Sequence, residues 1–415
     1  MTPEAQQKIR GMVELALSYV VEPKPLEVPT ASGTMEELVE QMTKDLTITD
    51  SKDQAQIQPD EETWDGESFG VRLAGLGKLL SNDVTKVSLA CKPPAESKTV
   101  IGMIDALGET CFRLAGFVDS VPVHLTGQTY KAEIQLLANN IFLATAALLN
   151  EFLEVPVEKV LHIQQQKSAM QASVGGLAGM PTSSSASTSK TGSAAESGSD
   201  GYLMKTGIVW EACQIFEQAS RSNRQAVAKK WGDMMSTMED AIAEVQEMID
   251  SNDKDIDGDS DDGEDSDNES DDSWNVDEKM TEEEKQLSIR ANALLKLTKM
   301  LFKKLQQRCL DTQQPTTASS SASTATLRPS DLAKMWDQLY DRARGIVELA
   351  DEIATSLYSP QEPESIVSML QELSRKNHDC ILVGRLFVRG QAEHERWMDM
   401  CEAQTQKILG TVLVK

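Results

Sequence analysis

Apolar residues recur at intervals of three and four along most of this chain, the spacing that lines one face of an α-helix. Pro3 to Val21 opens with proline at an early helical position and stops before Pro23. Ser32 and Thr34, followed by Glu36 and Glu37, give a capping signal for a second helix reaching Leu46. A third, 67–91, carries Phe69, Leu73, Leu76, Leu80, Val84 and Val87 on one face and stops at Pro93-Pro94. A fourth covers 96–120 and ends before Pro122; a fifth covers 127–165, where Pro156 kinks or splits it. Beyond these come 202–220 and 224–251, then a helix running from the Thr281/Glu284 capping pair to Cys309, and last 329–358, 361–388 and 391–413.

No stretch shows the alternation of a half-buried strand, and no internal repeat is evident. A helix with one apolar stripe must bury it against others. The pattern therefore predicts an all-α protein of two antiparallel helical bundles joined by a flexible linker. The expected division is an N-terminal bundle at 1–163, a disordered Ser/Gly-rich linker at 164–201, and a C-terminal bundle at 202–415. The last is interrupted by a disordered acidic insert at 253–280 and a disordered linker at 312–328. The helix 202–220 can dock on either bundle. Sparse aromatics (5%) and eighteen Met suit helices packed through Leu, Ile, Ala and Met.

Charge changes the picture at one place. Residues 253–284 hold seventeen Asp or Glu against Lys254 and Lys279, a net −15 of the chain's −26. The acidity is local, and its sign disfavours direct nucleic-acid contact, which requires clustered Lys and Arg. The run Asp253-Lys254-Asp255-Ile256-Asp257-Gly258 with Glu264 has EF-hand spacing. However, Ser260 stands where the loop takes an aliphatic residue, and 265–272 has no apolar residue to start an exiting helix. Ser266, before Asp267, Asn268 and Glu269, is a candidate phosphorylation site whose phosphate would add to the repulsion. Lys296, Lys299, Lys303, Lys304 and Arg308 give the helix after the insert a basic face, read as solvated rather than as a nucleic-acid surface.

Templates for catalysis fail. His124, His162, His378 and His394 are scattered, and His394-Glu395 lacks the second His of a zincin. Gly75-Leu76-Gly77-Lys78 lacks P-loop spacing and a preceding strand, and there is no G-x-S-x-G elbow. The six cysteines, no two of them closer than twenty residues, make no C-x-x-C pair. No catalytic residue, cofactor or metal ligand is assigned. The start lacks a secretory pattern, and the longest apolar run, Ile141–Leu149, is too short for a membrane span, so an intracellular soluble chain is expected. Trp210 and Trp231 read as core or interface anchors.

Three patterns carry a resemblance. Gly207-Ile208-Val209-Trp210-Glu211-Ala212-Cys213 is followed by Ser222-Asn223-Arg224-Gln225-Ala226-Val227 and a Met-rich helix to Ile249. Leu287 to Leu310 bears lysines after an acidic tract, and Asp351-Glu352-Ile353-Ala354-Thr355-Ser356-Leu357-Tyr358-Ser359-Pro360 closes a helix. Together with Trp64 to Leu80, these resemble the cyclin-D-binding (GCIP) family, over most of residues 64–413. The resemblance implies an all-α, two-domain, non-enzymatic adaptor in cell-cycle control. It implies cyclin-D-like or helix-loop-helix-like regulatory partners, no DNA contact, and residence in nucleus and cytoplasm. From the residues alone, an acidic chaperone for basic nuclear proteins, a calcium-responsive module and a cytoskeletal helical bundle stay open; the partner-binding residues and oligomeric state are not assigned.

Overall fold

The computed structural model describes residues 1–21, 64–163, 201–254, 280–311, 329–389 and 391–413. The expected helix ending at Leu46, both Ser-rich linkers, the body of the acidic insert with its EF-hand-like run, and Ser266 fall outside them. The described elements are all helical: α1 (Pro3–Ser18), α2 (Gly66–Cys91), α3 (Ser97–Asp119), the single turn α4 (Val123–Thr126), α5 (Gln128–Asn150), α6 (Gly201–Glu217), α7 (Asn223–Lys254), α8 (Glu282–Leu305), α9 (Pro329–Ser356), α10 (Pro363–Phe387) and α11 (Ala392–Leu413). The protein is all-α, as expected. Helix ends follow local chemistry. The Thr2 hydroxyl caps α1, and Asp65 accepts from the Ser68 amide at α2. Thr281 and Glu284 form a complete capping box on α8. The fifth expected helix is split near Pro156: α5 ends at Asn150, and a short helical turn occupies 158–163. The helix after the insert was expected to run to Cys309. Its α-helical part ends at Leu305, and Gln306–Leu310 widens into a π turn that buries Cys309 and Leu310.

The described residues pack as two compact units, divided between Ser222 and Asn223. The expected boundary lay in the linker before 202, and the difference is α6. Its buried face, Thr206, Val209, Cys213 and Phe216, closes on α2 and α5 within the first unit. The glycine that opens α2 matters. A Cβ on Gly66 would stand 2.1 Å from the Arg221 backbone carbonyl oxygen, so glycine there lets the turn after α6 come this close. A buried Ser88–Thr206 hydrogen bond (2.8 Å) secures the other end of the pair.

In the first unit the neighbours run α1–α3–α2–α6–α5 and back to α1, a closed ring of five. Most neighbours are antiparallel: Tyr19 meets Phe142 while Gln6 bonds the Phe152 carbonyl, and Gly70 faces Arg221 while Ser88 meets Thr206. A ring with an odd number of members cannot alternate all round. Here α1 and α3 run parallel, with Thr2 bonding Ser97 and Lys8 pairing with Asp105 (2.6 Å). The core is aliphatic, with an aromatic end where Phe69 stacks on Phe117 (4.3 Å, 11°) beside Trp64 and Tyr130. Among the described residues helix α5 alone is long and apolar enough to cross a membrane, but 67% of that stretch is buried inside the unit and Ala144 to Asn150 are all buried, which marks a core helix.

The second unit closes a different ring, α7–α9–α10–α11–α8 and back to α7. Lys299 reaches Glu239 and Asn292 reaches Gln246, so α8 runs against α7. Asn223 reaches Asp337 and Tyr358 reaches Glu244, so α9 runs with α7 as the parallel pair of this ring. Among the described residues each unit thus forms a ring of five long helices, but the two differ in neighbour order, consistent with the lack of an evident internal repeat. The core centres on Trp231, which is fully buried and lies 5.0 Å from the Phe302 ring. Several polar residues inside are paired across helices, as in Asn377 to Thr298 (2.7 Å) and Asn223 to both the Ala333 carbonyl and Asp337.

Truncating Trp231 to Ala should lower unfolding stability by about 3–5 kcal/mol, because its large buried volume cannot collapse in a closed ring. Chemical denaturation followed by circular dichroism checks this; a loss near zero would mean that Trp231 is not the centre of a packed core.

Candidate interaction surface

The scattered histidines stay apart. His378 faces Glu402 across α10 and α11 at 2.5 Å, and Arg385 reaches both Glu402 (3.1 Å) and Asp399 (2.7 Å), a polar clasp between two helices. His124 lies in α4 and His162 in the turn 158–163. Among the described residues no group of three or more His, Cys, Asp or Glu could hold a metal ion. All six cysteines are free and buried. Burial pushes the thiols of Cys111, Cys213 and Cys380 up to about 12 and those of Cys91 and Cys401 to about 11, and raises Cys309 further. Such thiols stay protonated and make poor nucleophiles.

The basic face after the acidic tract is largely engaged. Lys299 pairs with Glu239 (2.8 Å), Lys296 bonds Gln246 (2.8 Å), and Lys304 lies over the Trp397 ring at 5.5 Å. The edges of the acidic tract are ordered. Asp253 and Lys254 are the last residues of α7, and Glu282, Glu283 and Glu284 form the first turn of α8, where the helix dipole favours negative charge. Glu284 accepts from the amides of Gln361 (2.9 Å) and Thr281 (2.7 Å), and these bonds hold its carboxyl below the ordinary range. Asn252 donates to the Met280 carbonyl (3.5 Å), so the two ends of the insert are tied together at one end of the second unit.

What distinguishes the surface is exposed apolar side chains on α6. That helix has only three charged residues, Lys205, Glu211 and Glu217, and more than one apolar face. On the flank toward α2, Leu203 and Trp210 are exposed seven residues apart; Trp210 is 46% exposed, and its indole N–H donates to Thr85 Oγ1 (3.1 Å). Leu89, one turn on from Thr85 along α2, is exposed as well. On the flank toward α5, Met204, Ile208 and Ile215 are exposed over a groove of about 310 Å³ lined by Leu137, Ala144 and Ala147 of α5 and by Val160 and Ile163. Periodicity had left both tryptophans as core or interface anchors. Trp231 is core, and Trp210 is an anchor held in place at the surface. The missed signal was the weak amphipathicity of α6 itself: a helix apolar nearly all round must be buried all round or must present a face to something else.

The scaffold is therefore that of a helical interaction protein. Residues 181–251 match the profile described as "Grap2 and cyclin-D-interacting, N-terminal", and residues 258–380 match "Grap2 and cyclin-D-interacting, C-terminal". The two halves follow one another in the order their names give, and over these ranges, a little under half of the chain, the protein resembles this family. It is also 26% identical over 188 residues to a Danio rerio protein named "Cyclin-D1-binding protein 1 homolog"; the match covers 43% of this chain and 50% of that relative's length. The profile boundaries do not follow the structural ones. The first match takes in α6 from the first unit and α7 from the second, and α1 to α5 lie outside the matched ranges, as does the Trp64–Leu80 resemblance.

The buried thiols yield an expected outcome. The native chain should resist a thiol-alkylating reagent at neutral pH and expose all six cysteines only on unfolding. Because the folded-state values lie above the ordinary value of 9.0, that contribution to stability is intact below pH 9 and is lost as pH rises from there toward 11 and 12. Denaturation midpoints measured from pH 7 to 11 check the sign; a midpoint that rises above pH 9 would contradict it.

Proposed function

We propose that this chain is a non-enzymatic regulatory adaptor that binds a D-type cyclin and acts, in nucleus and cytoplasm, on cell-cycle progression and on transcription through protein contacts. The observation that carries this reading is the pair of consecutive family matches across 181–380, with a relative named for cyclin D1 binding. The exposed flank of α6 toward α2 supplies a surface of the right kind, since a pre-oriented, half-exposed tryptophan amid apolar neighbours is the usual anchor of a protein interface. The acidic tract adds a second element. Its net −15, tethered at both ends, attracts basic partner surfaces at long range and accelerates encounter.

Calorimetry with the full chain and a purified D-type cyclin tests the first part. Binding is expected, and Trp210→Ala should weaken it at least about tenfold while leaving the helical spectrum unchanged. Absence of binding by the unaltered chain overturns the cyclin reading; binding that Trp210→Ala leaves intact overturns the placement on this flank. Stopped-flow association in rising salt tests the second part. The association rate should fall with ionic strength, and removal of 255–279 should flatten that dependence. A rate indifferent to both refutes steering.

A further inference from the structure

The other flank of α6 is complementary to itself. Gly201, Met204, Lys205, Ile208, Glu211, Ala212 and Ile215 lie along one line of the helix at intervals of three, one, three, three, one and three. This is the two-position seam of a short coiled coil, pointing away from the core face of Val209, Cys213 and Phe216. Laid antiparallel on a copy of itself with Ile208 on the two-fold axis, each residue meets the one equally far on the other side of 208. Lys205 then faces Glu211 twice over, Met204 faces Ala212, Ile215 faces Gly201, and Ile208 faces Ile208. Opposite charges meet, Met204 and Ile215 each meet a small residue, and the two Ile208 side chains meet each other at the axis. Position symmetry follows from any such seam, but the match of residue types does not.

Two observations on the structure support an occupant for this seam. Among the described residues neither Lys205 nor Glu211 makes an ion pair or hydrogen bond, although both line the groove. The groove beside the seam is floored by the alanines 144 and 147 of α5 and by Ala212, leaving room for the Met204 and Ile208 side chains of an opposing helix. We propose that the occupant is a second copy of this chain, and that the protein forms a two-fold symmetric homodimer through α6 against α6. The arrangement is isologous and closed, so it stops at two. It engages the flank opposite Trp210, so dimer formation and partner binding through Trp210 are separable.

Sedimentation equilibrium of the full chain tests this. At about 100 µM, where even a modest Kd populates a complex, the mass should be twice 45.5 kDa. Ile208→Arg should return the chain to a monomer. Because both charged side chains are at the surface, a second set keeps the test open if that variant misfolds. Lys205→Glu should weaken association at least about tenfold by placing like charges opposite each other, and Lys205→Glu combined with Glu211→Lys should restore it. A monomeric wild-type chain, or a dimer unmoved by Ile208→Arg and Lys205→Glu, overturns the proposal. Cyclin binding measured on the same variants reads out the other flank: Ile208→Arg should spare it and Trp210→Ala should leave the dimer intact. Failure of one reading is thereby told apart from failure of the other.

Discussion

A helix that carries one apolar stripe is stable only when neighbours cover both edges of it, and in each half of this protein five helices meet that demand by closing a ring. The closure dictates much else. Five is odd, so one neighbouring pair in each ring must run parallel: α1 with α3, and α7 with α9. In each ring the parallel pair is not consecutive in the chain: α2 lies between α1 and α3, and α8 between α7 and α9.

The ring also explains where polar groups are tolerated inside. Thr110 bonds Asp83, Ser88 bonds Thr206, and Asn377 bonds Thr298, each across a helix pair. A buried hydrogen bond contributes only about 1 kcal/mol net, but leaving one partner unsatisfied costs more than that. Such pairs therefore favour one register of neighbouring helices over a slipped one. Buried cysteines serve as small apolar fillers in the same cores.

Helix α6 departs from the rule of a single stripe, and function is proposed where it departs. A stripe facing α2 and α5 completes the first ring, and apolar side chains remain on both outer flanks. One flank presents a tryptophan whose indole is already oriented; the other presents a line of residues that matches its own reverse. Family-matched residues begin before this helix and continue across the boundary between units, so α6 is the described part of the first unit that shares in the family likeness.

Period, proline and charge in the sequence alone were enough to place most of the described helices. Pro93-Pro94 and Pro122 bound α2 and α3, Thr281 and Glu284 start α8, and the three-four spacing of Val227, Trp231, Met234 and Met238 marks the buried face of α7. The likeness to the family was legible in the stretch around Trp210. Only the tertiary structure decided that α6 belongs with the first unit, which helices run parallel, and that Trp231 is enclosed while Trp210 is half open. The reason is physical: periodicity tells which side of a helix avoids water, but the partner that covers it is chosen by shape, by a glycine such as Gly66 that permits close approach, and by hydrogen bonds between residues more than a hundred positions apart.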